Sequence, residues 1–144
     1  MNVRRIVYLS TANGMPEDSD LFALLESARR SNARSGISGV LLYGSGSFLQ
    51  VLEGTSPSID DVFETIKQDP RHRNVIEVLN EEVDRAAFGK WSMAFVQQQS
   101  MMPVDQQAFI DLRESVLSDA GKTPGQDHIV DMLVRAFMES ISDG

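Results

Sequence analysis

The apolar pattern is densest between residues 37 and 54, ISGVLLYGSGSFLQVLEG. Two apolar runs, residues 37–43 and 48–53, flank the turn Gly44-Ser45-Gly46-Ser47, a spacing that predicts a β-hairpin. Along the second run Phe48, Gln50 and Leu52 fall on one face, and Leu49, Val51 and Glu53 on the other. Both faces are largely apolar, which predicts a central strand covered on two sides. Gln50 is the lone amide in that segment. With two donors and two acceptor lone pairs, it is costly to bury unless polar partners meet it.

Before the hairpin, residues 3–10 alternate as a strand, with Ile6, Tyr8 and Ser10 on one face. A turn-rich link over residues 11–16 leads to a helix opening near Asp18 or Ser19 and running to about Asn32. Its stripe is Leu21, Leu24, Leu25 and Ala28, and the next member at helical spacing is Asn32. That amide is either a C-terminal cap or an inward-facing polar group. After the hairpin, Ser56 caps a second helix with Pro57 in its first turn and Ile59, Val62, Phe63 and Ile66 as its stripe. It stops near Gln68 or Asp69, before Pro70. The basic cluster Arg71-His72-Arg73 follows, then strands over residues 75–83 and 91–97. The order β-α-β-β-α-β-β predicts an α+β, ferredoxin-like sandwich. First and third strands are expected as parallel neighbours at the sheet centre. Tyr8 and Gln50 then meet beneath the helices, and Asn32 closes a polar triangle. Such a triangle is either a satisfied buried network or a site for a planar polar ligand.

Beyond residue 97 the pattern turns helical. Phe109, Leu112, Val116 and Leu117 form one stripe; after a breaker, Asp127 caps a last helix bearing Val130, Leu133, Val134, Phe137 and Ile141. The chain thus divides into a domain over residues 1–97 and a helical appendage over 98–144. The appendage is too apolar to stand in water, so it is expected to cover the open sheet face or build a homo-oligomer. The 144 residues suffice for a real core. A net charge of −8 argues against nucleic acid as partner. No apolar run is long enough to span a membrane and no signal peptide precedes the first strand, so a cytoplasmic protein is expected. There is no cysteine, and the two histidines, His72 and His128, make no ligand cluster; no metal is expected. No nucleophile elbow or phosphate-binding glycine loop occurs either.

Taken together, Ile6-Val7-Tyr8-Leu9-Ser10, residues 30–39 (RSNARSGISG), Leu41-Leu42-Tyr43, residues 48–54 (FLQVLEG), Asp69-Pro70-Arg71-His72 and Trp91-Ser92-Met93 resemble the BLUF domain, a blue-light sensor using flavin. The matches keep family order and spacing from about residue 3 to 97, and the tail resembles that of the short, stand-alone members. The resemblance implies FAD as cofactor, no enzymatic activity and a downstream signalling protein as partner. It implies Tyr8 as electron and proton donor, Gln50 between that phenol and flavin N5/O4, and Asn32 on the flavin carbonyl edge. Leu24 and Ile66 would cover the ring faces, with Arg71 and His72 near the ribityl and phosphate groups. Trp91 and Met93 would mark the switching fifth strand. Two departures stand out. Ser31 replaces the Asn or His of many members beside the flavin, and Thr65 replaces an Arg that often contacts the C2 carbonyl side. The rival reading is a ferredoxin-like ligand-binding or interaction module without flavin, in which Gln50 merely pins strand register.

Overall fold

The computed structural model describes residues 3–14, 16–44, 46–86 and 93–97, together with residues 103, 106, 107 and 110, which are helical. Its elements are β1 (Val3–Ala12), α1 (Asp18–Ser35), β2 (Ser38–Gly44), β3 (Ser47–Gly54), α2 (Ser56–Gln68), β4 (His72–Val83) and β5 (Ala94–Gln97). They build one mixed five-stranded sheet, order β4-β1-β3-β2-β5, with β3 in the middle. Seven of its eight residues are buried, as an apolar pattern on both faces requires. The appendage expected over residues 98–144 lies outside the described residues apart from those four helical positions, and so does Trp91 of the expected fifth strand.

One expectation is overturned. β1 and β3 are antiparallel, not parallel. The crossover through α1 returns β2 in the direction of β1, and the hairpin then reverses β3. Residue periodicity marks faces and carries no sign of strand direction. Antiparallel pairing seats Tyr8 directly opposite Gln50, flanked by the pairs Ile6–Leu52 and Ser10–Phe48. On the other face Arg5 pairs with Glu53 on β3 and Glu81 on β4. Arg5 Nε and Nη2 lie 2.9 and 2.8 Å from Glu53 Oε2, and the Glu53 side chain has no exposed surface. A one-residue slip would bury that carboxylate without its partner, so the pair specifies register.

Helix ends also differ from expectation. Glu17 precedes the first turn of α1, and its N–H donates to Asp20 Oδ2 at 2.9 Å. Thr55, rather than Ser56, caps α2. The longer α1 is closed by Gly36, which takes the left-handed conformation at φ 69°. The N–H of Ile37 donates to the Asn32 carbonyl at 2.9 Å, so the backbone of Asn32 serves the helix end. Its side chain belongs to the buried face, at 2 % exposure.

Between β2 and β3 the backbones nearly touch. A Cβ at Gly39 would lie 2.0 Å from the carbonyl oxygen of Val51. Gly39→Ala must therefore part the hairpin that carries Gln50. Its expected cost is that of an overpacked core, about 1–3 kcal/mol, read as a lowered urea midpoint; an unchanged midpoint would contradict the geometry.

Candidate functional site

Tyr8, from the centre of β1, and Gln50, from the centre of β3, project from the helix-covered face. Ile6, Phe48, Leu41, Leu52 and Ile59 pack around them. The Tyr8 hydroxyl donates to Gln50 Oε1. Gln50 Nε2 in turn donates to the thioether sulfur of Met93, 3.4 Å away. Met93 precedes β5, is 1 % exposed, and its carbonyl accepts from Arg29 Nε on α1 at 3.0 Å. A polar chain thus crosses the apolar interior, Tyr8 to Gln50 to Met93, with Arg29 fixing its far end.

Above this chain, between α1 and α2, opens a cavity of about 270 Å³. All eight residues expected at a cofactor site line it: Tyr8, Leu24, Ser31, Asn32, Gln50, Ile66, Arg71 and His72. The structure therefore brings the sequence-predicted set together around one space, with Met93 behind Gln50 rather than in the wall. Ser27, Ser35, Asp61 and Asp69 also line it and were missed. A signal was present for two of these. Ser27, Ser31 and Ser35 recur every four residues on the flank of the Leu24–Ala28–Asn32 stripe, and small side chains there leave room above the sheet. Thr65 lines the wall too, but its hydroxyl donates to the Asp61 carbonyl of its own helix at 3.1 Å.

The electrostatics follow from burial. Desolvation, with the negative charge of Asp69 adding to it, holds the Tyr8 phenol far above its ordinary range, so it stays protonated. Burial would raise the Asp69 carboxyl, but hydrogen bonds and charge from Arg71 overcome it and hold the group low. Arg71 Nη2 lies 2.7 Å from Asp69 Oδ2 and its Nε 3.0 Å from both oxygens, leaving Nη1 without a partner among the described residues. His72 was expected as part of a basic cluster. Instead it is buried at the start of β4, with Nε2 3.1 Å from the Ile66 carbonyl and Nδ1 3.2 Å from Ser10 Oγ. A carbonyl only accepts, so Nε2 carries the hydrogen and Nδ1 accepts from the Ser10 hydroxyl.

The model of the BLUF family, described as sensors of blue-light using FAD, matches residues 3–94. The chain belongs to the BLUF family. Among curated relatives, the photoactivated adenylate cyclase subunit beta of Euglena gracilis is 39 % identical over 95 residues, 64 % of this chain and 11 % of that protein. The blue light- and temperature-regulated antirepressor BluF of Escherichia coli (strain K12) is 38 % identical over 66 residues, 46 % of this chain and 16 % of that protein. The chain thus spans about a tenth of the length of the cyclase subunits it matches. Among solved structures, the photo-activated state of BlsA is 31 % identical with a TM-score of 0.75, and the match covers 95 % of each chain. The dark state of BlrB, a BLUF protein, is 27 % identical with a TM-score of 0.71, covering 81 % of this chain and 90 % of that one.

The residues present fit the FAD of a BLUF domain. Gln50 is 5 % exposed, yet one of its N–H groups and one oxygen lone pair have no partner among the described residues. Leaving such groups unpaired costs about 1–3 kcal/mol each, and a planar ring with a polar edge would meet them. Leu24 and Ile66 are half-buried and line the cavity from opposite helices, as walls for an apolar ring do.

The buried His72 makes stability pH-dependent. Burial pushes its imidazole below the ordinary value of 6.5, against the raising effects of Asp69 and the Ile66 carbonyl and with the lowering effect of Arg71. Tyr8 and Phe48 meet the ring edge-on and carry no charge. The unfolded chain binds the proton that the folded chain resists, so this contribution is complete above about pH 6.5 and lost as pH falls below it. Asp69, held below 3.8, acts only at lower pH. The urea midpoint should decline as pH falls below about 6.5, and His72→Gln should flatten that decline. A slope that survives the substitution would contradict the assignment.

Proposed function

We propose that this BLUF chain is a cytoplasmic photoreceptor that carries FAD non-covalently in the cavity between α1 and α2. It signals to a partner protein through rearrangement of the Tyr8–Gln50–Met93 chain and performs no catalysis itself. The continuous hydrogen-bonded path from phenol to amide to thioether, at the base of a cavity with apolar walls, carries this reading. Residues 1–97 form the flavin unit, in keeping with the extent of the family match. Residues 98–144 serve as the appendage through which a homo-oligomer or the partner is engaged.

The cofactor supplies blue-light absorption and a strongly oxidising excited state. Tyr8 is the electron and proton donor. Burial keeps its phenol protonated in the resting state, and its hydrogen bond to Gln50 Oε1 would be the route of the proton that follows the electron. Gln50 passes the change on by rotating or tautomerising its amide. Either exchange alters the same two contacts, the one to Tyr8 and the one to Met93. Asn32 and Gln50 would hold the polar edge of the ring, and Leu24 and Ile66 would cover its two faces. Ser31 stands at the exposed rim. Thr65, with its hydroxyl turned to its own helix, contributes no charge-assisted bond, so ring recognition rests more heavily on Asn32. Arg71, on the cavity wall with Nη1 without a partner among the described residues, would hold the phosphate end. A hydrogen bond contributes about 0.5–1.5 kcal/mol net, so the output element must be nearly balanced before light arrives. That element is β5 together with the appendage.

No cysteine is available for an adduct, so denaturation should release all flavin from the chain. Protein that stays colourless after refolding with FAD would instead support a flavin-free interaction module. Gln50→Leu keeps roughly the side-chain volume and removes both donor and acceptor. It should bind FAD and lose the reversible red shift of the flavin band under blue light. Tyr8→Phe should lose the shift for want of an oxidisable phenol. A flavin-loaded Gln50→Leu protein with the full reversible shift would falsify the mechanism.

A further inference from the structure

His72 lines the cavity wall, where the family resemblance assigns it to the ribityl and phosphate groups. Its hydrogen-bonding capacity is already committed elsewhere. Nε2 donates to the Ile66 carbonyl at 3.1 Å, and Nδ1 accepts from Ser10 at 3.2 Å. The Ile66 carbonyl is one of the last of α2, which helical bonding leaves open, and it also accepts from the Asp69 N–H at 3.1 Å. Ser10 lies on β1 two residues beyond Tyr8 and is itself absent from the cavity wall. The imidazole stands edge-on to Tyr8, with ring centroids 6.1 Å apart, and to Phe48 at 5.8 Å. It therefore ties the end of α2, whose Ile66 side chain is a wall of the cavity, to the strand that carries the photoactive phenol.

We infer that His72 is a positioning residue and not a flavin ligand: its ring joins the Ile66 carbonyl to Ser10 and so sets the gap between the α2 wall and the Tyr8–Gln50 pair. The inference rests on the reading of the cavity as the flavin site. It has a consequence that direct contact would not have. Loss of the bridge loosens the grip on the ring itself, whatever hangs from that ring.

The test titrates the apoprotein with lumiflavin, which is the ring without a ribityl chain, and with FMN, following quenching of flavin fluorescence. Glutamine places its amide nitrogen near the position of imidazole Nε2, so His72→Gln keeps the bond to Ile66 and loses the one to Ser10. Asparagine reaches only as far as Nδ1, so His72→Asn keeps Ser10 and loses Ile66. Each variant breaks one end of the bridge and should weaken lumiflavin and FMN equally, roughly three- to tenfold. The vibronic structure of the bound-flavin band should blur in both. Ser10→Ala removes a group outside the cavity and breaks the same bond as His72→Gln, so it should weaken both flavins to the same extent as that variant. It serves equally should either His72 variant fail to fold. Losses confined to FMN would show direct contact with ribityl or phosphate and overturn the inference. So would a Ser10→Ala protein that binds both flavins as the parent does. A parent that binds neither flavin overturns the flavin reading itself, and this inference with it.

Discussion

A primary amide in the middle strand of a sheet buried on both faces is the constraint around which this molecule is arranged. Gln50 cannot be left unpaired there without a penalty of about 1–3 kcal/mol per group. Each neighbouring element therefore contributes to its surroundings. β1 supplies the Tyr8 hydroxyl directly across the ladder, Met93 just before β5 supplies its sulfur, and the helices leave a cavity over what remains. The antiparallel register matters because directly opposed residues share a face at the shortest cross-strand distance. Moved by one residue, Tyr8 would point to the other face and the amide would be stranded.

The two faces of the sheet divide the work. On one, the Arg5–Glu53 pair and the buried Val7, Leu9, Leu49 and Val51 hold the ladder in register. On the other, the same strands present Tyr8 and Gln50 to the cavity. The register-setting groups thus lie on the face of the sheet away from the cavity. Gly39 belongs to the same logic. A side chain there would force β2 away from β3 at the Val51 carbonyl, one residue from Gln50.

How much of this was legible in the sequence depended on what each signal encodes. Alternation along residues 3–10 and 48–53 placed Tyr8 and Gln50 on faces, and helical spacing placed Leu24, Asn32 and Ile66; all five line the cavity. Alternation holds no information on strand direction, which follows from the connections; the parallel expectation for β1 and β3 failed because a crossover through α1 followed by a hairpin sets β3 against β1. Local composition likewise misjudged the caps, because Glu17 acts through its backbone N–H and Asp20, not as a residue type favoured at that position. His72 was read by its charged neighbours Arg71 and Arg73, whereas tertiary packing turns its ring inward to Ser10 and Ile66. The Met93 contact to Gln50 and the Arg29 contact to the Met93 carbonyl join residues 43 and 64 positions apart in sequence. No periodicity reports such pairs.

The strengths of the Gln50 contacts are unequal, and that inequality decides which one yields. The bond from the Tyr8 hydroxyl reaches a carbonyl oxygen, a good acceptor. The bond to Met93 reaches a thioether, a weak acceptor. Any reorientation of the amide therefore meets least resistance on the Met93 side. The backbone of Met93 is anchored by Arg29 through its carbonyl, so the first response is confined to a flexible, unbranched side chain that can refill space in more than one way. A change in one hydrogen bond is too small to unfold an element, but it is large enough to shift a side chain between two packings of similar energy. Among the described residues the adjoining β5 has four residues and pairs with β2 at the edge of the sheet. A perturbation starting at the Gln50 amide thus meets its softest neighbour beside an edge strand of the sheet.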